Sequence, residues 1–142
     1  MNHISYESRE DGDLLQTLLD WADNNDLPAL TLHESCIGDG GPPIWQGFPK
    51  DKKTLIEIDH LILLEHNLLE IPSEIKCLTN LKEIYLLDNK LLNVPDEIFE
   101  LPNLEHLDLS ENEDMIITDT QRKRINELVK QGCEILLDDK WY

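Results

Sequence analysis

Basic residues are scarce in this chain of 142 residues: 12 lysines and arginines stand against 30 aspartates and glutamates, for a formal charge of −18 and a pI of about 4.4. A protein that tracks a phosphate backbone needs a cationic surface, so nucleic acid is excluded as the expected partner, and an anionic membrane surface with it. Cysteine is equally sparse. Cys36, Cys77 and Cys133 are widely spaced and form no CxxC, which argues against both a disulfide framework and a zinc site. Aromatics supply 6% of the residues against a hydrophobic total of 40%, so the core must be aliphatic, built of leucine and isoleucine. No stretch approaches the roughly 18 uncharged apolar residues of a membrane span. The opening MNHISYESREDGDLL has neither a basic start nor an apolar h-region. These absences predict a soluble, cytoplasmic, monomeric protein of one domain.

What the chain does contain is a repeat of 23 residues. Ile58-x-x-Leu61-x-Leu63, Leu81-x-x-Ile84-x-Leu86 and Leu104-x-x-Leu107-x-Leu109 share that spacing, as do Ile71-Pro72 with Val94-Pro95, Ile75 with Ile98, and Leu78 with Leu101. A degenerate earlier copy begins at Leu27-x-x-Leu30-x-Leu32 and is 31 residues long, the surplus lying within Gly38 to Gly47. The alternating LxL reads as a short strand with its leucines inward, and PxxIxxL as a compact turn or short helix shielding the opposite side. One such unit cannot bury its own leucines, so stacking must create the core.

The pattern in LKEIYLLDNKLLNVPDEIFEL resembles the leucine-rich repeat family, in particular its bacterial and typical types, over roughly residues 27 to 117. The resemblance implies an α/β fold: a short right-handed horseshoe arc, or solenoid, of about four repeats with a capping helix at either end. Asp13 with Gln16 has the form of a capping box, and Leu14, Leu15, Leu18, Leu19 and Ala22 share one helical face, which predicts an N-terminal cap over 13–26 after a flexible acidic segment 1–12. Thr118 with Gln121 repeats that signal, Ile125, Leu128 and Val129 form an apolar stripe, and Gly132 supplies a stop. Residues 118–142 are thus expected to form a C-terminal cap of helix and strand, completing a single domain over 13–142.

Motifs for catalysis are wanting. No GxSxG occurs, Cys77 lies in the apolar PSEIKCL segment, and Cys36 is paired with His33 only by proximity in sequence. Gly38-Asp39-Gly40-Gly41 lacks the Gly-Lys-Ser/Thr ending of a phosphate loop, and Pro42-Pro43 follows where a helix would have to start. The family's asparagine position holds Asn89 and Asn112, with Ser35 and His66 in the earlier copies. By analogy with the family these close turns and do not act on substrates. The third repeat position carries Ala29, His60, Glu83 and His106, and strands about 4.8 Å apart would place the two histidines too far from each other to share a zinc ion. A pH-sensitive His–Glu–His surface is the more modest reading. No cofactor and no metal are expected.

The outward strand positions carry the functional expectation. Ile62, Leu64, Tyr85 and Leu87 would form an exposed apolar patch, with Asp108 and Ser110 in the next repeat. Glu34, Glu65, Asp88 and Glu111 line up beside it as an acidic column, and His60 and His106 flank it. Trp45, on the proline-stiffened insertion 38–47, either folds back over the core or serves as an aromatic anchor for a partner. On the concave face implied by the resemblance, these residues predict a non-enzymatic protein-binding module for a partner with a basic surface, in an inhibitor or immunity-type role. An adaptor without inhibitory role is the alternative, and an enzyme of unrecognised type a remote third.

Overall fold

The computed structural model describes residues 9–33 and 44–138. Its centre is a four-stranded, fully parallel sheet in the order β3 (His60–Ile62), β4 (Glu83–Tyr85), β5 (His106–Asp108) and β6 (Glu134–Leu136). Each strand is three residues long, so one side chain of each points to the core and two point away from it. The inward column is Leu61, Ile84, Leu107 and Ile135, and Leu63, Leu86 and Leu109 just beyond the strands are also fully buried.

The opposite wall is made of two 3-10 turns, Ser73–Cys77 and Asp96–Glu100, which pack against each other. Pro72 and Pro95 precede them at φ near −70°, the value the pyrrolidine ring imposes, and Ile75 and Ile98 point inward. Asparagines hold successive units together. Asn89 Nδ2 donates to the carbonyls of Leu63 (2.8 Å) and Leu86 (3.0 Å), while its Oδ1 accepts from the His66 and Leu68 amides. Asn112 repeats the arrangement toward Leu86, Leu109 and Leu91. These buried turns leave backbone groups that water cannot reach, and the carboxamide satisfies them.

Two expectations require correction. Helix α1 runs from Arg9 to Asn24, so residues 9–12, expected in a loose tail, are helical, and Asp13 lies inside the helix instead of capping it. Thr17 Oγ1 bonds back to the Asp13 carbonyl (3.0 Å). Nothing in Arg9-Glu10-Asp11-Gly12 is a proline or a β-branched residue, so a helix is not halted there. Residues 1–8 lie outside the described residues.

The degenerate first copy is likewise not a rung of the parallel ladder. Its strand β1 (Thr31–His33) pairs antiparallel with β2 (Ile44–Gln46), making a separate two-stranded sheet. The hairpin is tied down by bonds from the Phe48 amide to the Pro28 carbonyl (2.9 Å) and from the Gly47 amide to the Ile62 carbonyl (3.2 Å). Gly47 is required there: its φ is +106°, and a Cβ would fall 2.5 Å from the Ala29 carbonyl oxygen. The first true rung is therefore β3.

Helix α1 buries Leu15, Leu18 and Ala22 against the short helix α2 (Lys52–Glu57) and the Ser73–Cys77 turn, and Trp21 meets Phe48 edge to face at 5.7 Å. Asp51 caps α2, its side chain accepting from the Thr54 amide at 2.8 Å. At the other end α3 (Asp119–Lys130) starts in a reciprocal capping box between Thr118 and Gln121, and the buried Gln121 also donates to the Val94 carbonyl (2.9 Å) and to Asp96 (2.8 Å). Residues 118–136 thereby rest on the Asp96–Glu100 turn and β5.

Candidate functional site

The face of the sheet that turns away from the core consists of two rungs. One reads His60, Glu83, His106 and Glu134, the other Ile62, Tyr85, Asp108 and Leu136. Parallel pairing brings residues 23 positions apart, and 28 for His106 with Glu134, into direct contact, so the first rung becomes a chain of imidazoles and carboxylates. His60 Nε2 lies 3.2 Å from Glu83 Oε2 and its Nδ1 lies 2.8 Å from Asp59 Oδ1, while His106 Nδ1 lies 2.7 Å from Glu134 Oε1. The hydrogen bond from His60 holds the Asp59 carboxyl below the usual aspartate range.

The second rung departs from expectation. Ile62 and Tyr85, expected to project into solvent, are 1% and 7% exposed, and Asp108 is also buried. Ile62 is at the margin of the sheet where the β1–β2 hairpin crosses it. Tyr85 does not stand off the sheet. Its ring lies 4.7 Å from that of His106, and its hydroxyl donates to Glu83 at 2.7 Å. Burial first, then that bond and the carboxylates of Glu83, Asp108 and Glu134, push the phenol well above its ordinary range. Asp108 closes its own turn, accepting from the Ser110 amide (3.0 Å) and hydroxyl (2.6 Å). In the middle of the face Leu64 and Leu87, both half-buried, keep apolar surface, and at its β6 edge Leu136 is exposed.

The acidic column is exposed. Glu65, Asp88 and Glu111 all reach solvent, and each has a left-handed backbone, with φ of 59°, 58° and 59°. Glu34, the expected fourth member, lies outside the described residues, as do Ser35, Cys36 and residues 38–43 of the insertion. Beside the column the amide of Glu111 donates to Asp138 Oδ1 at 2.7 Å. A cleft of about 710 Å³ opens here, lined by Asp88, Glu111, Glu113, Asp114 and Asp138 with one lysine, Lys90.

Trp45 takes the exposed alternative. It is 57% accessible, and the core contact that it was a candidate for is made by Trp21 on Phe48. It stands over a second cleft, of about 530 Å³, between the hairpin and α2, walled by Leu30, Ile58 and Ile62 and rimmed by Glu57, Asp59 and His60.

Little in this arrangement suggests chemistry. Cys77 and Cys133 are buried, and burial, reinforced by Glu105 and Glu134, raises the Cys133 thiol, the opposite of what a nucleophile needs. His66, in the family's asparagine position, is shifted down by burial and donates its backbone amide to Asn89. Among the described residues no group of three histidines, cysteines or carboxylates could hold a metal ion, and no helix is long and apolar enough to cross a membrane. Sequence reasoning missed Asn80 and Asn103. They stand 23 positions apart and donate to the Ile56 (2.9 Å) and Thr79 (2.8 Å) carbonyls of the preceding unit, so the same spacing that revealed the leucines would have revealed them.

The stacked parallel strands, the asparagine ladder and the proline-led turns define a repeat fold in which each unit is completed by its neighbour. Residues 79–118 match the family model for the leucine rich repeat, so this stretch of the chain is built of such repeats. Such repeats generally mediate protein–protein interaction and typically form non-enzymatic binding modules. No curated protein matches the chain.

Proposed function

We propose that the protein binds a basic partner protein on the outer, concave face of its parallel sheet. One observation carries this reading: among the described residues the outward positions of β3 to β6 hold no lysine or arginine and the turns that follow them hold Lys90 alone, while Glu65, Glu83, Asp88, Glu111 and Glu134 occur there. Like charges held this close repel one another, and a cationic surface would relieve that repulsion as it docks. The backbone adds support. A left-handed residue without a glycine costs about 1–2 kcal/mol, and glutamate is not among the residue types that tolerate it well. Its recurrence at Glu65 and Glu111 suits positions kept for their charge.

The energetic centre of the face is smaller than the sequence implied, because Ile62 and Tyr85 support the face and do not extend from it. Leu64 and Leu87 supply the apolar contact, and the acids steer and orient. A small acidic binder of this kind suits an inhibitor or immunity-type role in the cytoplasm, occluding a basic enzyme. The test is an affinity capture from native host lysate at low and moderate salt, comparing the parent with a Glu65→Gln, Asp88→Asn, Glu111→Gln variant. Recovery of one basic protein in stoichiometric amount by the parent, and its loss from the variant, is the expected result. Equal recovery by both would remove the acidic column from the interface.

A further inference from the structure

The cleft beneath Trp45 lies beside the acidic face but is chemically unlike it. Its walls are Leu30, Ile58 and Ile62 beside the Trp45 indole, and Thr54 and Glu57 of α2 line it together with Ile58, the extended residue that ends the helix. Its rim is charged. Glu57 is exposed and its carboxylate has no hydrogen bond or ion pair among the described residues, Asp59 has Oδ1 held by His60 and Oδ2 as a further acceptor, and none of the described residues lining the space is a lysine or arginine. A volume of about 530 Å³ lies within the range of binding pockets, roughly 300–1,000 Å³.

An apolar floor, an exposed indole and two carboxylates at the mouth call for one kind of occupant: a long aliphatic stem ending in a cation. Arginine meets the description better than lysine, because a planar guanidinium can stack on the indole face while its N–H groups fork onto carboxylate oxygens. We propose that this cleft seats an arginine side chain of the partner, stacked on Trp45 and paired with Glu57 and Asp59, with an aliphatic neighbour of that arginine against Leu30 and Ile58. The assignment rests on the reading of a basic partner and adds a specific anchor at the margin of a face that otherwise offers mostly steering charge. Charge complementarity selects the occupant: a second copy of this acidic chain would bring net charge of the same sign to the rim.

The probe is the capped peptide acetyl-Gly-Leu-Arg-Leu-Gly-amide, titrated into the isotope-labelled full chain, with a second peptide carrying citrulline, the neutral isostere, in place of arginine. Saturable shifts of the Trp45 indole N–H and the Ile58 methyls are expected, weakened about fivefold or more with citrulline and by a similar factor in Trp45→Ala and in Glu57→Gln. The two variants guard each other against a folding artefact, since Glu57 is an exposed charge outside the core. The Glu65→Gln, Asp88→Asn, Glu111→Gln variant should bind the peptide as the parent does. Equal binding of the two peptides would show an apolar cleft and overturn the arginine assignment. Shifts spread over all the acids and indifferent to Trp45→Ala would overturn the cleft itself, as would shifts that appear on concentrating the protein without peptide. Failure of the sheet-face reading registers separately, in the lysate comparison, where the cleft is intact in both proteins.

Discussion

Along the inner rung of the sheet Leu61, Ile84, Leu107 and Ile135 are nearly the same residue repeated, whereas the rung beside it on the outer face reads His60, Glu83, His106 and Glu134. Both rungs share the same backbone and the same pairing. The inner one is constrained by a single requirement, filling a dry volume with aliphatic carbon, so it recurs. The outer one is constrained by whichever neighbour each side chain finds, so it varies. The inner face consequently sets stability, and the outer face is free to be spent on recognition.

The comparison breaks most visibly where a charge is moved to the inner face. Leu107→Asp or Ile84→Asp would bury a carboxylate with no partner among side chains that are fully inaccessible, and each should cost more than about 4 kcal/mol and leave the chain unfolded at room temperature. Lys82→Asp, at the exposed residue just before β4, should stay within about 0.5 kcal/mol. Thermal melts followed by circular dichroism check all three, and similar curves would mean that the inner rung has been misassigned.

Next in size are the asparagines. Asn89→Leu strands the carbonyls of Leu63 and Leu86 and the amides of His66 and Leu68 in a region without water. Each lost partner costs about 1–3 kcal/mol, partly offset by relaxation, so a total of about 3 kcal/mol or more is expected in chemical denaturation. Asn80→Ala removes a single bond, to Ile56, and should cost about 1 kcal/mol. A ratio near one between the two would refute the ladder as the tie between units.

How much of this was legible follows from the same contrast. The 23-residue spacing identified the leucines, the prolines, Asn89 and Asn112 and the fold family, because each unit repeats one solution to one packing problem. It could not show that the first copy folds into a hairpin, since Leu27, Leu30 and Leu32 keep the spacing while β1 pairs antiparallel with β2 instead of joining the parallel sheet. Nor could it show that Ile62 and Tyr85 are covered. Alternation says which way a side chain leaves the strand and nothing about what then lies over it, and here the hairpin and the His106 ring do. The cleft under Trp45 joins residues from a loop, a helix and two strands, and no periodicity relates them.

Tyr85 sharpens the boundary between the faces, because it is an outer residue with an inner residue's burial. Tyr85→Ala should therefore lower stability by about 3 kcal/mol, as truncation of a buried aromatic does, and any loss of partner binding would be secondary to that. Tyr85→Phe keeps the ring against His106 and gives up the bond to Glu83, for about 1 kcal/mol. If Tyr85→Ala instead melted with the parent, the residue would belong to the recognition surface after all.

The smallest effect expected has the opposite sign. Glu65 and Glu111 occupy left-handed backbone at φ 59°, a conformation that asparagine adopts more readily because its short polar side chain can bond locally. Each also lies one repeat from Asp88, so replacing it removes a like-charge neighbour from a chain of net charge −18. Glu65→Asn and Glu111→Asn should each stabilise the protein by about 0.5 kcal/mol, raising the midpoint by roughly 1–2 °C, and the two should nearly add because two strand spacings, about 9–10 Å, separate them. Association of the double variant with a basic partner should at the same time slow at low salt and converge on the parent at high salt, where the charges are screened. Stability gained together with on-rate lost would show the acids to be retained against the preference of the backbone. If the double variant melted below the parent, Glu65 and Glu111 would be structural residues, and the division between an inner face for folding and an outer face for binding would fail at those positions.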